Sequence, residues 1–221
     1  MTDFTIRRYE AMDYQPVREI FAAGMYEHVP AACFHLLRQP WAQLLLVTVF
    51  CLLLVSSQSL ILPLLALALI LATAQQLVTF FWSKYIEETF NSDLLDIQET
   101  YMMKDDACFW VAECQGVVVG TVSARRSDLS HANLELKRLS VRKAYRRRGI
   151  AKALCRTVIL FARENGLEEV VLGTSMLQCE AQRLYQDLGF QLQGELLFPN
   201  LLGKLINFKI LMYRCEVRRG K

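Results

Sequence analysis

The stretch best equipped for chemistry is Leu139-Ser140-Val141-Arg142-Lys143-Ala144-Tyr145-Arg146-Arg147-Arg148-Gly149-Ile150-Ala151. A strand-like run passes into a basic turn, and the turn opens a helix at a glycine. Backbone N–H groups at a helix start have no partner within the helix, and the helix dipole is positive there. A glycine at that point lacks the Cβ that would hold a bulky anion at a distance. The pattern suits a pyrophosphate against Arg146, Arg147, Arg148, Gly149, Ile150 and Ala151, with Leu139 and Val141 on the strand that leads in. It matches neither GxxxxGK[ST] nor GxGxxG, which disfavours the cofactors that those turns hold. His28, His35 and His131 form no ligand cluster, and the seven cysteines show no CxxC pair or zinc-type spacing. The histidines read as surface or helix-end residues and the cysteines as small apolar residues in a reducing compartment. No metal is expected.

Those residues need elements to position them. Residues 4–9 read as a short strand, and Val17, Ile20, Phe21 and Gly24 recur at helical spacing behind Asp13 as a possible cap. Residues 83–107 look mostly helical. Residues 109–113 and 117–124 read as a β-hairpin turning at Gln115-Gly116, followed by a strand over 134–141. A helix over 149–165, a buried strand at 170–172 and a helix over 179–188 that Gly189 stops come next. The tail at 190–198 and 205–213 supplies further strands. This is a mixed α/β pattern.

One segment breaks it. Residues 41–82 contain no charged side chain, and the whole chain is 53% apolar. As one helix, 42 residues at ~1.5 Å each would reach about 63 Å, roughly twice a ~30 Å hydrocarbon core. Two arms, 41–55 and 60–82, fit better, joined by Ser56, Ser57, Gln58 and Ser59 with Pro63 just beyond. The first arm is short, so the hairpin is either spanning or re-entrant; a buried soluble helix pair is disfavoured because it would need a polar face. Trp41, Phe80, Phe81 and Trp82 sit at the open ends beside Arg38 and Lys84, which places both termini in the cytosol. The expected division is residues 1–40, a first strand and helix; 41–82, the membrane hairpin; and 83–221, the rest of the domain. A net charge of +3, from 25 basic and 22 acidic residues, is too small to argue for nucleic acid as partner.

The turn resembles the [QR]xxGx[GA] acetyl-CoA motif of the GNAT superfamily, through Arg146, Gly149 and Ala151. Ala181-Gln182-Arg183-Leu184-Tyr185-Gln186-Asp187-Leu188-Gly189-Phe190 is similar to that family's AxxxYxxxGF element at a fitting distance. The resemblance implies a GNAT fold, with a mixed twisted sheet and flanking helices, and acetyl-CoA as co-substrate. It further implies a pantetheine between the splayed strands 134–141 and 170–174, and direct transfer to an amine. An amine attacks only after losing a proton, so a carboxylate, directly or through water, is the natural base. Glu135 matches where some members keep theirs, yet it shares a strand face with Lys137 and could be only its ion-pair partner. Tyr185 matches the tyrosine near the departing thiolate; the alternative is plain helix packing.

An uncharged hairpin after the first helix, the Arg-Arg-Arg-Gly-Ile-Ala-Lys-Ala-Leu run, Phe161-Ala162-Arg163 and Ala107-Cys108-Phe109-Trp110-Val111-Ala112-Glu113 narrow the resemblance to the camello, or N-acetyltransferase 8, family. That family implies an endoplasmic reticulum membrane enzyme with a cytosolic catalytic domain. Its acceptors are the α-amino group of cysteine S-conjugates, aspartate, or protein lysines. A small amino-acid derivative is the leading expectation, protein lysine the alternative, and a tethered pseudo-enzyme acting by binding the non-enzymatic one. Lys137, Arg138 and Arg125 are candidates to hold a substrate carboxylate.

Overall fold

The computed structural model describes residues 4–127, 130–199 and 201–217. A seven-stranded sheet has the order β1-β2-β3-β4-β5-β7-β6. Its strands are β1 (Thr5–Arg8), β2 (Cys108–Cys114), β3 (Val117–Ser127), β4 (Ser130–Val141), β5 (Glu169–Ser175), β6 (Gln191–Leu197) and β7 (Lys209–Glu216). The helices are α1 (Tyr14–Tyr26), α2 (Val29–Leu37), α3 (Pro40–Ser57), α4 (Ile61–Phe90), α5 (Ile150–Glu164), α6 (Cys179–Asp187) and α7 (Leu201–Leu205). This is the GNAT fold that the motifs imply.

Alternation along the strands divides the core in two. On one face Trp110, Val122, Leu134, Leu136, Val170 and Leu172 meet Leu154, Val158 and Phe161 of α5. The apolar positions of α5 that recur at helical spacing, 150, 154, 158 and 161, are all buried. On the other face Phe109, Val111 and Val118 meet Val17, Ile20 and Phe21 of α1 and Ile86 at the end of α4. The β2–β3 turn falls on Gln115 and Gly116, both at positive φ as a two-residue hairpin turn requires.

Three local expectations change. Asp13 makes no side-chain cap to α1; its carboxylate is bound by Arg7 at 2.6 Å and by the Glu10 amide at 2.9 Å. The ion pair is the better partner because Asp13 is buried and a buried carboxylate needs compensation. The hairpin turn is tighter than its polar residues suggest. Ser56 and Ser57 remain in α3, Gln58 turns at φ 50, and α4 starts at Ile61 with Pro63 inside its first turn, where a missing N–H costs nothing. A helix not anticipated, α2, links α1 to the hairpin, with Pro30 in its first turn.

Helices α3 and α4 are both long and apolar enough to cross a membrane, and only 6% and 11% of their apolar windows is buried. Core helices of a soluble fold would be covered. Here the leucines face outward, among them Leu44, Leu52, Leu65 and Leu69.

Candidate active site

The turn after β4 builds a concavity from backbone. Arg147 (φ 61) and Gly149 (φ 82) are both left-handed, and Arg148 between them is not. Alternating handedness of this kind turns successive N–H groups toward one point, an anion-binding nest. Gly149 is the N-cap of α5, so the unpaired amides of the first helical turn add to the same point. A Cβ placed on Gly149 would meet no atom within 4 Å, so the nest is open. Close approach of α5 to the sheet sets its position. A Cβ on Gly120 of β3 would come within 3.1 Å of Ile150 Cγ2 and 3.3 Å of the Ser140 carbonyl.

The expected cation side chains divide in two. Arg146 braces the turn: its guanidinium donates to both carboxylate oxygens of Glu27 at 2.6 and 3.0 Å and to the Val141 carbonyl at 3.0 Å. It holds the nest against the end of α1. Arg148 donates to the Ala144 carbonyl at 3.3 Å and lies over the Tyr145 ring. Arg147, Arg148 and Gly149 are exposed, whereas Ile150 is buried and Ala151 half-buried, so these last two offer backbone rather than side chain.

The nest stands at the mouth of a split in the sheet. β4 and β5 pair in parallel only at Asn133–Glu135 with Glu169–Val171. Beyond that β4 runs on to Val141, past Leu139, while β5 pairs with β7 as far as Ser175 opposite Ile210. Glu135 sits at the root of the split, the last β4 residue registered with β5. Leu134 and Leu136 point into the α5-side core, so Glu135 faces the other side. There Lys137 Nζ approaches its carboxylate at 3.3 Å.

Tyr185 of α6 belongs to the α5-side core, with its ring 5.7 Å from Phe190 and 6.1 Å from Tyr213. Burial is the main cause, and Cys155 a lesser one, of a phenol held far above its usual pKa, so it keeps its proton at neutral pH. Cys155 itself is pushed up to about 12 by burial and is no thiolate nucleophile. Glu135 and Tyr185 thus stand on opposite sides of the sheet.

Of the residues considered for a substrate carboxylate, Arg138 is committed elsewhere, to Asp93. Arg125 registers opposite Glu135 on β3, and Lys137 is shared with Glu135. His28 and Gln178 are site-side residues that sequence reasoning passed over. Gln178 Oε1 accepts from the Thr174 hydroxyl (2.7 Å) and the Ser175 amide (3.2 Å), which leaves its amide nitrogen, 3.1 Å away, to donate to His28 Nε2. His28 is therefore neutral with its proton on Nδ1, and it joins the α1–α2 corner to the end of β5. No local pattern marks this pair. No group of His, Cys, Asp and Glu among the described residues could hold a metal ion. A cleft of about 440 Å³ between Arg8, Lys104 and Glu164 lies at the far end of α5, away from the nest.

Comparison with known proteins decides what this geometry belongs to. The acetyltransferase (GNAT) family model matches residues 74–190, which include β2 to α6 and both motifs. The mouse N-acetyltransferase family 8 member 7 is 41% identical over 204 residues, covering 91% of this chain and 90% of its own length. Mouse N-acetyltransferase 8 is 38% identical over 216 residues, covering 96% and 95%. The "Probable N-acetyltransferase camello" of Xenopus tropicalis is 36% identical over 218 residues, covering 99% and 100%.

The chain belongs to the GNAT acetyltransferases, in the camello and N-acetyltransferase 8 family.

This N-acetyltransferase also shares its fold with a GNAT-family acetyltransferase from Staphylococcus aureus, at a TM-score of 0.60 and 18% identity, with 98% of this chain and 100% of that one covered. An acetyltransferase from Salmonella typhimurium, solved with its cofactor acetyl-CoA, aligns at a TM-score of 0.54 and 16% identity over 99% and 96% of the two chains. The camello relatives extend over the α3–α4 pair as well, so the hairpin lies within the length they share with this acetyltransferase.

Proposed function

We propose that this N-acetyltransferase is anchored in the endoplasmic reticulum membrane by α3 and α4 and acetylates a primary amine from acetyl-CoA on the cytosolic side. The leading acceptor is the α-amino group of a small amino-acid derivative such as a cysteine S-conjugate. One observation carries the reading: an open backbone nest at Arg147–Gly149 stands at the mouth of the β4/β5 split. The nest fits a pyrophosphate, and the unpaired stretch of β4 beyond Glu135 offers backbone groups along which an extended arm can lie. When bound, acetyl-CoA supplies the acyl group as a thioester.

The chain's own residues supply the proton traffic. Glu135, or water held by it, takes a proton from the incoming amine on one side of the sheet. Tyr185, which keeps its proton, donates a hydrogen bond from the other side to charge growing on the leaving sulfur. A base and a donor on opposite sides of the split match an attack from one side and a departure toward the other. Lys137, already paired with Glu135, and Arg125 are the cations nearest that base in register, and they are assigned to a carboxylate on the acceptor.

Purified enzyme in detergent should be incubated with acetyl-CoA and with cysteine S-conjugates, aspartate, other free amino acids and lysine peptides. Transfer to the S-conjugates is the expected result. Transfer to the peptides alone would establish the protein-lysine reading instead.

A further inference from the structure

We infer that residues 196–199 and 203–208 form a second membrane-contacting surface, seated in the lipid headgroup layer beside the hairpin. The inference rests on the anchoring reading above. The stretch contains a single charge, Lys204, and two of its neighbouring leucines, Leu196 and Leu197, are more than half exposed (58% and 51%). Leu205 is exposed as well. Exposed apolar side chains in such a run need a cover.

Their attachment to the hairpin identifies the cover. Trp41 Nε1 donates to the Leu205 carbonyl at 3.2 Å, and His35 Nε2 lies 2.7 Å from the Ile206 carbonyl, to which it donates. The Trp82 and Phe208 rings meet edge to face at 5.9 Å, and Phe208 meets Phe198 in the same way. Both arms of the hairpin are therefore fastened to this segment. Their level follows from helix geometry. At ~1.5 Å per residue Trp41 lies about 25 Å, and Trp82 about 33 Å, from the Gln58–Leu60 tip. A ~30 Å hydrocarbon core entered tip first leaves both tryptophans, and whatever touches them, in the headgroup layer. Indole, phenyl, leucine and one lysine are the chemistry that this layer accepts. A second copy of the chain would have to reach the same face at the bilayer surface that the tryptophans already occupy.

The contact reaches the site. Lys209, next after Phe208, accepts a bond at its carbonyl from the Met176 amide at 3.0 Å, where β5 has just ended. Lipid under these residues thus bears on the end of β5 that Gln178 and His28 also hold.

The test is photocrosslinking in the full chain reconstituted in phospholipid nanodiscs. Leu197→benzoylphenylalanine and Leu65→benzoylphenylalanine are made separately. Leu192→benzoylphenylalanine, also on an exposed β6 leucine but about 16 Å along the strand, serves as reference. Lipid adducts at positions 197 and 65, well above those at 192, are expected. Adducts at 65 without 197, equal labelling at 197 and 192, or a protein–protein adduct at 197 would each overturn the inference and leave the anchor standing. No lipid adduct at 65 would overturn the anchor, and the inference with it.

Discussion

The Arg138 guanidinium lies against the Asp93 carboxylate, with Nε 2.8 Å from Oδ2, in a site where both side chains are nearly buried. The Tyr101 hydroxyl donates to the same Oδ2, and the Phe21 ring lies 5.1 Å from the guanidinium carbon. Arg138 has φ 56, and at this point the register of β4 against β3 slips between Ser123 and Thr121. The bulge beside the split is thus clamped to the loop that leaves α4.

Breaking one half of that pair should be costly, because it strands a charge in a desolvated place. Asp93→Leu is expected to lose roughly 3–5 kcal/mol of unfolding free energy. Combined with Arg138→Met, most of the loss should return, since an apolar pair of similar volume is often neutral. Denaturant melts of both variants check this. Burial opposes the charge on Asp93, but the Arg138 bonds prevail and hold the carboxyl below its usual range. A depressed carboxyl contributes stability above its unfolded pKa of ~3.9 and loses it as pH falls through the folded value. Both variants, which lack the Asp93 carboxyl, should therefore lack an acid-sensitive component that the parent shows below about pH 4.

Gly149→Val should abolish measurable acetyl-CoA binding, because its side chain would fill the nest. The residue also has φ 82, so some stability is lost regardless. Gly166→Val, at φ 67 beyond the other end of α5, carries the same kind of backbone strain without touching the nest. Calorimetric titration with acetyl-CoA should find affinity lost in the first variant and retained in the second. Equal affinity in both would remove the nest from the cofactor site.

Glu135 and Tyr185 should separate by pH. Glu135→Gln is expected to slow transfer most where the attacking amine is protonated, with the deficit shrinking as pH rises. Tyr185→Phe should cut kcat on the order of 100-fold with acetyl-CoA affinity nearly intact, since its bond strengthens only as charge grows on sulfur. The check is a pH–rate profile with one confirmed acceptor. A Glu135→Gln enzyme with parental rates from about pH 6 to 9 would leave that residue only its bond to Lys137.

The elements that carry the nest were legible because their signals are local. Gly149 ends a basic turn, the apolar spacing of α5 fixes its buried face, and Gln115-Gly116 is strong turn chemistry. An uncharged run of helix pairs announced α3 and α4 for the same reason. Asp93 and Gln178 were not legible. Each acts through a partner distant in the chain, as Arg138 is from Asp93 by 45 positions and His28 from Gln178 by 150, and no periodicity encodes such a meeting. Glu135 lies between the two cases. Strand parity foresaw Lys137 beside it, but only the parallel register with Val171 places it at the root of the split.

His28 gives a fourth measurable outcome. Burial is the first cause that lowers its pKa below the usual 6.5, and Arg146 adds to it while Glu27 opposes. Protonation would also destroy its acceptance of the Gln178 amide. The unfolded chain then binds more protons than the folded one just below pH 6.5, so stability present above that pH is lost as pH falls through the folded value. Thermal melts at pH 5 and pH 7 should differ less in His28→Gln than in the parent enzyme. An unchanged difference would mean that other groups carry the acid sensitivity.

The hairpin separates β1 from its sheet neighbour, β2, so that Thr5 meets Glu113 across more than 100 positions. Translation delivers the strand, then α1 and α2, then both apolar arms, and only afterwards the strand on which β1 must close. The nascent chain therefore cannot complete its sheet until the hairpin has left the ribosome. Since the sheet takes strands from before and after that hairpin, the proposed anchoring requires both flanks to remain on one side of the membrane. In that arrangement insertion precedes closure, and a molecule whose hairpin threaded only one arm would strand its first strand across the bilayer from the rest of the enzyme.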